Sequence, residues 1–97
     1  MYAVIFRAEI SSFDDEYFAM AEEMRNIAIN KYGCKEFVSC SEGKNEIAIS
    51  YWESEDQLLE WKKDIEHIKA QESGRSKWYK SYTVQVTNVA REYSSNT

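Results

Sequence analysis

The sequence contains no proline, three glycines, two cysteines and one histidine. With one histidine there is no ligand spacing for a zinc site. Cys34 and Cys40 lie six apart on what reads as one strand, about 20 Å in an extended chain, so they cannot bridge each other. Both are expected as reduced, half-buried thiols. Basic residues are also short: twelve Lys and Arg stand against seventeen Asp and Glu, for a net charge of −5. With no local basic cluster to compensate, nucleic acid is a poor partner. No apolar run approaches the roughly 20 residues a bilayer span needs, and the opening MYAVIFRAEI is too short and too soon charged for a signal peptide. The expectations are therefore no membrane partner and a cytoplasmic location. No phosphate loop or Ser-His-Asp arrangement occurs, which weakens hydrolase, kinase and metalloenzyme readings.

What is present argues for a folded globule. Hydrophobic residues make up 43% of the chain, with three Trp, seven Tyr and four Phe among them. Ninety-seven residues suit one domain, 1–97, with 94–97 expected to fray. A chain of this size buries only about 60 to 65% of its unfolded surface. Tyr2 to Ile10 alternates as a strand, with Tyr2, Val4, Phe6, Ala8 and Ile10 on one face and Ala3, Ile5, Arg7 and Glu9 on the other. Ser12 and Asp15 form a capping-box-like start for a helix whose apolar stripe is Phe13, Tyr17, Met20, Met24 and Ile27, with Gly33 as its terminator. Cys34 to Ser41 and Glu46 to Trp52 read as strands joined at Glu42-Gly43-Lys44-Asn45 into a hairpin. Tyr82 to Tyr93 reads as the last strand, with a bulge near Asn88 to explain a shift in its alternation.

The stretch from Ser50 to Tyr82 holds all three tryptophans and the histidine. Ser54 and Gln57 predict a capping box and a helix from about Glu55. Leu58, Trp61, Ile65 and Ile68 then form a core-facing stripe, and His67, Gln71, Gly74 and Trp78 form a second row suited to lining a cavity. The element order β-α-β-β-α-β predicts the α+β, ferredoxin-like arrangement, two helices covering one face of a four-stranded antiparallel sheet. Apolar residues on both sides of the first and last strands call for a cover on the opposite face, and a second copy of the chain, as a homodimer, is the economical one.

Tyr51-Trp52, Ser54, Trp61, His67, Ala70, Gly74 and Trp78-Tyr79 together resemble the antibiotic biosynthesis monooxygenase domain, a family of dimeric ferredoxin-like α+β barrels. The resemblance spans nearly the whole chain. It implies a small monooxygenase that needs no cofactor and acts on a phenolic, quinol-like or polyketide-type aromatic. The alternative is a binding or regulatory module of the same fold that holds a small aromatic ligand without turnover. The haem-degrading branch carries an asparagine in the first strand where this chain has Phe6 and Arg7, and its histidine lies further from the helix tryptophan, which argues against haem degradation. By resemblance Trp61 lines the pocket and His67 stands at the family's tryptophan-to-histidine interval. An imidazole with pKa near 6.5 is suited to take a phenolic proton.

Plainer readings stand beside these. Trp61 lies on the core stripe, and packing there is compatible with lining a pocket. His67 next to Glu66 fits a solvated side chain as well as a base. Arg75 either pairs with Glu72 or Glu23 or holds a substrate oxygen. Trp78 is expected mainly to anchor the helix, and of Trp78, Tyr79 and Tyr82 it is the one expected to reach a pocket. Tyr51 and Trp52 point to opposite sheet faces, so only one of these two substrate-binding candidates can face the helices.

Overall fold

The computed structural model describes residues 1–71 and 78–96, excluding the side chains of 66–71. Its elements are β1 (Tyr2–Ile10), α1 (Asp15–Asn30), β2 (Glu36–Glu42), β3 (Asn45–Trp52), α2 (Glu55–Gln71) and β4 (Tyr79–Asn88). The strands form one antiparallel sheet in the order β2-β3-β1-β4, the ferredoxin-like arrangement.

Local chemistry sets most of the boundaries. The first helix is capped by Asp14, whose Oδ1 accepts from the Tyr17 N–H at 2.8 Å. This corrects the expected cap at Ser12, and the reason is bidentate: Oδ2 of Asp14 also accepts from Trp78 Nε1–H at 3.1 Å. One carboxylate thus satisfies a helix end and a buried indole. At the other end of α1, the Ile27 and Ala28 carbonyls accept from Lys31, Tyr32 and Cys34. The chain turns there at Gly33 with φ +77°. A Cβ at Gly33 would also sit 3.0 Å from Gln57 Nε2, so glycine serves both the turn and the approach of α2.

Ser54 Oγ accepts from the Gln57 N–H at 3.3 Å, as expected for the start of α2. The reciprocal arm of the capping box is not made, since Gln57 Oε1 is buried without a partner. The β2–β3 hairpin turns through Gly43 and Lys44, with Gly43 at φ +60°, where a type II′ loop favours glycine.

Three further expectations are revised. Strand β2 begins at Glu36, so Cys34 precedes it; Cys34 is buried and Cys40 exposed, instead of both being half-buried. Strand β4 runs from Tyr79 to Asn88, not from Tyr82 to Tyr93. Its register irregularity lies at the opposite end, where Glu9 pairs Ser81 but Ile10 pairs Tyr79, leaving Lys80 as the extra residue. The broken alternation after Val86 marks the end of the strand at Asn88, where Val89 N–H bonds the Met1 carbonyl.

Register fixes which side chains meet the helices. Tyr2, Val4, Phe6, Ala8 and Ile10 of β1 face them, in rows with Trp52, Ser50, Ala48 and Glu46 of β3 and Asn88, Val86, Val84 and Tyr82 of β4. Two core clusters fill this layer. One joins Val4, Ala28, Cys34, Trp52, Leu58 and Trp61, and the other joins Ala8, Ile10, Tyr17, Met20 and Trp78. On the opposite face, β4 presents the polar Ser81, Thr83, Gln85 and Thr87, contrary to the expectation of a last strand apolar on both sides. The apolar patch there comes from Ile5, Ile49, Ile47 and Val38 on β1, β3 and β2.

Candidate functional site

Between α2 and the sheet opens a cleft of about 470 Å³. The volume falls within the usual range of small-molecule sites, about 300 to 1,000 Å³. Phe6, Val4 and Ala48 form its floor, Met24 and Phe37 close it on the α1 and β2 sides, and Leu58, Trp61, Lys62 and Ile65 of α2 make one wall. The other wall is the helix-facing side of β4, Tyr82, Val84 and Val86. Those three are 57%, 47% and 48% exposed although they face the helical layer. Helix α2 packs over β3, and across the cleft from it these side chains of β4 stay exposed.

Trp61 reaches this cleft because it lies on the inner stripe of α2 with Leu58 and Ile65. Its indole Nε1–H donates to the Met24 carbonyl at 3.0 Å, tying α2 to α1. Its ring lies 5.2 Å from that of Trp52 and edge-on to Phe37 at 6.1 Å. The hydrogen bond and the two adjoining rings fix the indole, so Trp61 both packs the core and lines the cleft. The Tyr32 hydroxyl adds a second tie between the helices, donating to Asp64 Oδ2 at 2.9 Å.

The other residues singled out from sequence divide. Trp52 faces the helices but is fully buried behind Trp61, with its Nε1–H donated to Ser50 Oγ at 2.9 Å. Tyr51 pairs with Ala3 and Glu36 and lies on the far face of the sheet, away from the cleft. Trp78 is buried in the other core cluster, held by Asp14, which fits its anchoring role, but it does not line the cleft: of Trp78, Tyr79 and Tyr82 it is Tyr82 that does. His67 and Gln71 belong to α2 by backbone, but their side chains lie outside the described residues, as do Gly74 and Arg75 entirely. Of the candidates, the described residues place Trp61 alone on the cleft.

Several lining residues escaped the sequence reading: Phe6, Met24, Phe37, Lys62, Ile65 and the β4 trio. The available signal was the strict alternation of Tyr82, Val84 and Val86 with Ser81, Thr83 and Gln85. Glu46 escaped it too. It lies in the row next to the floor, beside Ala8 and Tyr82, and accepts a hydrogen bond from the Tyr17 hydroxyl. Burial pushes its carboxyl above its ordinary value. Burial also raises the Tyr79 hydroxyl, and the neighbouring Glu46 and Tyr82 add to that shift. The Cys34 thiol is raised chiefly by burial as well, which suits a packing role. Among the described residues no three His, Cys, Asp or Glu side chains gather as metal ligands, and no helix is long and apolar enough to cross a membrane.

No family profile matches the chain. Individual proteins do. The chain is 41% identical over 93 residues to the uncharacterized protein YqjZ of Bacillus subtilis strain 168, covering 94% of this chain and 81% of that one. It is 33% identical over 101 residues to the jasmonate monooxygenase ABM of Pyricularia oryzae, covering 99% of this chain but 46% of the relative, about half its length. Among solved structures, SnoaB, a cofactor-independent oxygenase from Streptomyces nogalater, superposes with a TM-score of 0.75 at 10% identity, over 94% of each chain. A variant of MhuD with two manganese protoporphyrin IX molecules bound per active site shares the fold at a TM-score of 0.66 and 13% identity, over 98% of this chain and 100% of that one. The structural matches speak for architecture, and the sequence matches extend the kinship along nearly the whole length of the chain: it belongs to the antibiotic biosynthesis monooxygenase family.

Proposed function

We propose that this protein is a small monooxygenase that works without a resident cofactor on a phenolic, quinol-like or polyketide-type aromatic held in the cleft between α2 and the sheet. The observation that carries the reading is the open, apolar cleft with Trp61 fixed on its wall. The names of two similar proteins, a cofactor-independent oxygenase and a monooxygenase, support oxygen chemistry. An oxygenase of this kind draws its electrons from the substrate. An activated methylene and O₂ become a carbonyl and water, with one oxygen atom entering the product and the other leaving with both hydrogens.

The protein's share is to strip a proton, hold the ring and keep water away. His67 is the proposed base, Trp61 the aromatic wall, and Gln71 and Arg75 the polar groups near the substrate oxygens. Oxygen uptake with a panel of anthrones and quinols tests the reading, and His67→Ala is expected to lower turnover by about 10²- to 10⁴-fold while leaving binding in place. Ligand binding without any oxygen uptake would replace catalysis by a binding or regulatory role.

The far face of the sheet supports a homodimer. Ile5, Val38, Ile47 and Ile49 share that face, and Val38 and Ile47 are 46% and 41% exposed in one copy. Sedimentation at micromolar concentration is expected to give about twice the 11.4 kDa chain mass. A monomer would leave that face without its proposed cover.

A further inference from the structure

Two groups of aromatic rings lead away from the cleft, and they differ in where their polar hydrogens go. On the α2 side Trp61 and Trp52 lie 5.2 Å apart, and their N–H groups donate to the Met24 carbonyl and the Ser50 hydroxyl. On the β4 side a series starts at Tyr82 on the cleft wall. Ring centre to ring centre, Tyr82 is 5.7 Å from Tyr79, Tyr79 is 6.1 Å from Tyr17, and Tyr17 is 5.7 Å from Trp78. Here carboxylates hold the hydrogens at the inner end: the Tyr17 hydroxyl donates to Glu46 and the Trp78 N–H to Asp14. The series thus runs from an exposed phenol to a buried one that has a base in contact with its proton.

Edge-to-face rings at these distances are ordinary core packing. The carboxylates set the series apart. A phenol that loses an electron becomes strongly acidic, and it gives up its proton readily to a base within hydrogen-bond reach. A carboxylate is such a base, whereas an amide carbonyl and an aliphatic hydroxyl are poor ones. Oxidation of Tyr17 is therefore favoured by transfer of its proton to Glu46, while Trp61 and Trp52 lack that help. Burial, with Glu46 and Tyr82 adding to it, raises the Tyr79 hydroxyl, so Tyr79 keeps its proton and relays an electron without becoming the trap. Trp78 lies beyond Tyr17, and its carboxylate also serves the first turn of α1, which makes it the poorer stop.

We propose that Tyr17, with Glu46 as its proton acceptor, is the resting place of an oxidising equivalent that reaches the cleft wall at Tyr82. Its use rests on oxygen chemistry in the cleft, whereas the route is a property of the fold. The oxidant it serves is a peroxyl radical, formed when O₂ adds to a carbon radical of the bound substrate. One electron leaves Tyr17 and passes by way of the Tyr79 and Tyr82 rings to the peroxyl group, which becomes a peroxide anion and takes a proton from water at the open side of the cleft. The Tyr17 O–H bond breaks and its proton goes to the Glu46 carboxylate. The products are a hydroperoxide, hydroxide, a Tyr17 phenoxyl radical and a neutral Glu46 carboxyl. A stray radical is thereby drawn away from Trp61 and the substrate.

The test oxidises the intact protein with light, using a ruthenium polypyridyl sensitiser and persulfate at about pH 8, where carboxyl groups are ionised. Electron paramagnetic resonance on samples frozen at increasing delays reads the tyrosyl radicals. Exposed tyrosines such as Tyr93 give a signal that added ascorbate removes quickly, and the buried Tyr17 should give one that outlasts it. Tyr17→Phe should lose the lasting signal. So should Tyr79→Phe and Tyr82→Phe, which break the route, and Glu46→Gln, which still accepts the hydrogen bond but cannot take the proton. Tyr32→Phe should keep it: Tyr32 also donates to a carboxylate, that of Asp64, but its ring stands outside the series. Thermal unfolding confirms that each variant compared is folded. No lasting signal in the wild type, one that survives any of the four substitutions in the series, or one lost in Tyr32→Phe overturns the inference. A lasting signal with the expected dependence, but without oxygen uptake on any anthrone or quinol, upholds the route and overturns the monooxygenase reading.

Discussion

Ser50, Val4 and Val86 sit side by side on β3, β1 and β4, in one row of one sheet face, and the exposure of the outer two runs against their polarity. Ser50 is 2% exposed and Val86 is 48% exposed. Two rows further on, the pattern recurs: Glu46 on β3 is half-buried and Tyr82 on β4 is 57% exposed. Residue type does not explain this. Helix α2 lies over β3 and Tyr17 of α1 reaches Glu46, so polar groups on that side find partners inside, while apolar groups on β4 face the cleft. Full burial of a valine is worth about 1.5 to 3 kcal/mol, so an apolar strand face left uncovered marks a place where something else binds.

The largest expected effect is on the covered side. Ser50→Ala removes the hydroxyl that accepts from the Trp52 indole N–H and leaves a buried donor without that partner. It should destabilise the fold by about 1 to 3 kcal/mol in urea unfolding, even though alanine is the less polar residue. A neutral result would mean that water or another group reaches Trp52, and that β3 is less covered than its exposure implies.

A smaller, pH-dependent effect is expected at Glu46. Its carboxyl is raised by burial from an ordinary value of 4.5, so the unfolded chain ionises first. Stability contributed by this group is therefore lost as pH rises from about 4.5 through the folded value, and is level above it. Glu46→Gln keeps an oxygen for the Tyr17 hydroxyl and removes the ionisation. Thermal unfolding across this range should show a flatter profile and a higher plateau near neutral pH. An unchanged slope would assign the pH dependence to other groups.

The smallest effect on stability belongs to the open side. Val84→Thr with Val86→Thr keeps the β-branched shape and places hydroxyls where water already reaches. Stability should change by less than about 0.5 kcal/mol per site, while an aromatic probe of the cleft binds more weakly. A large loss of stability would show that these valines are core, and would erase the distinction between the two sides.

Periodicity made much of the fold legible. The strand faces of β1, the stripe of α1 and the start of α2 follow from spacing and caps, and so does Trp61 as an inner residue. What it could not supply was coverage. Alternation says that Tyr51 and Trp52 face opposite ways, but the pairing of Trp52 with Tyr2 decides which is inside. Likewise Tyr82, Val84 and Val86 read as an ordinary inner strand face, and only the placement of α2 turns them into a cleft wall. Asp14 outranked Ser12 as a cap through a partner 64 residues away, which no local motif reveals.

The position of β1 has a consequence for how the chain folds. The strand made first lies in the interior of the sheet, with β3 on one side and β4 on the other, and the pairing of Tyr2 with Asn88 joins nearly opposite ends of the chain. Closing such a loop costs entropy before any contact repays it, so the β2–β3 hairpin is the local unit and the β1–β4 ladder the distant one. Until Tyr79 to Asn88 has been synthesised, β1 has an open edge beside an apolar surface. A nascent or truncated chain that stops short of β4 therefore exposes a template for pairing with other chains, and its success in the cell depends on how quickly the last strand closes that edge.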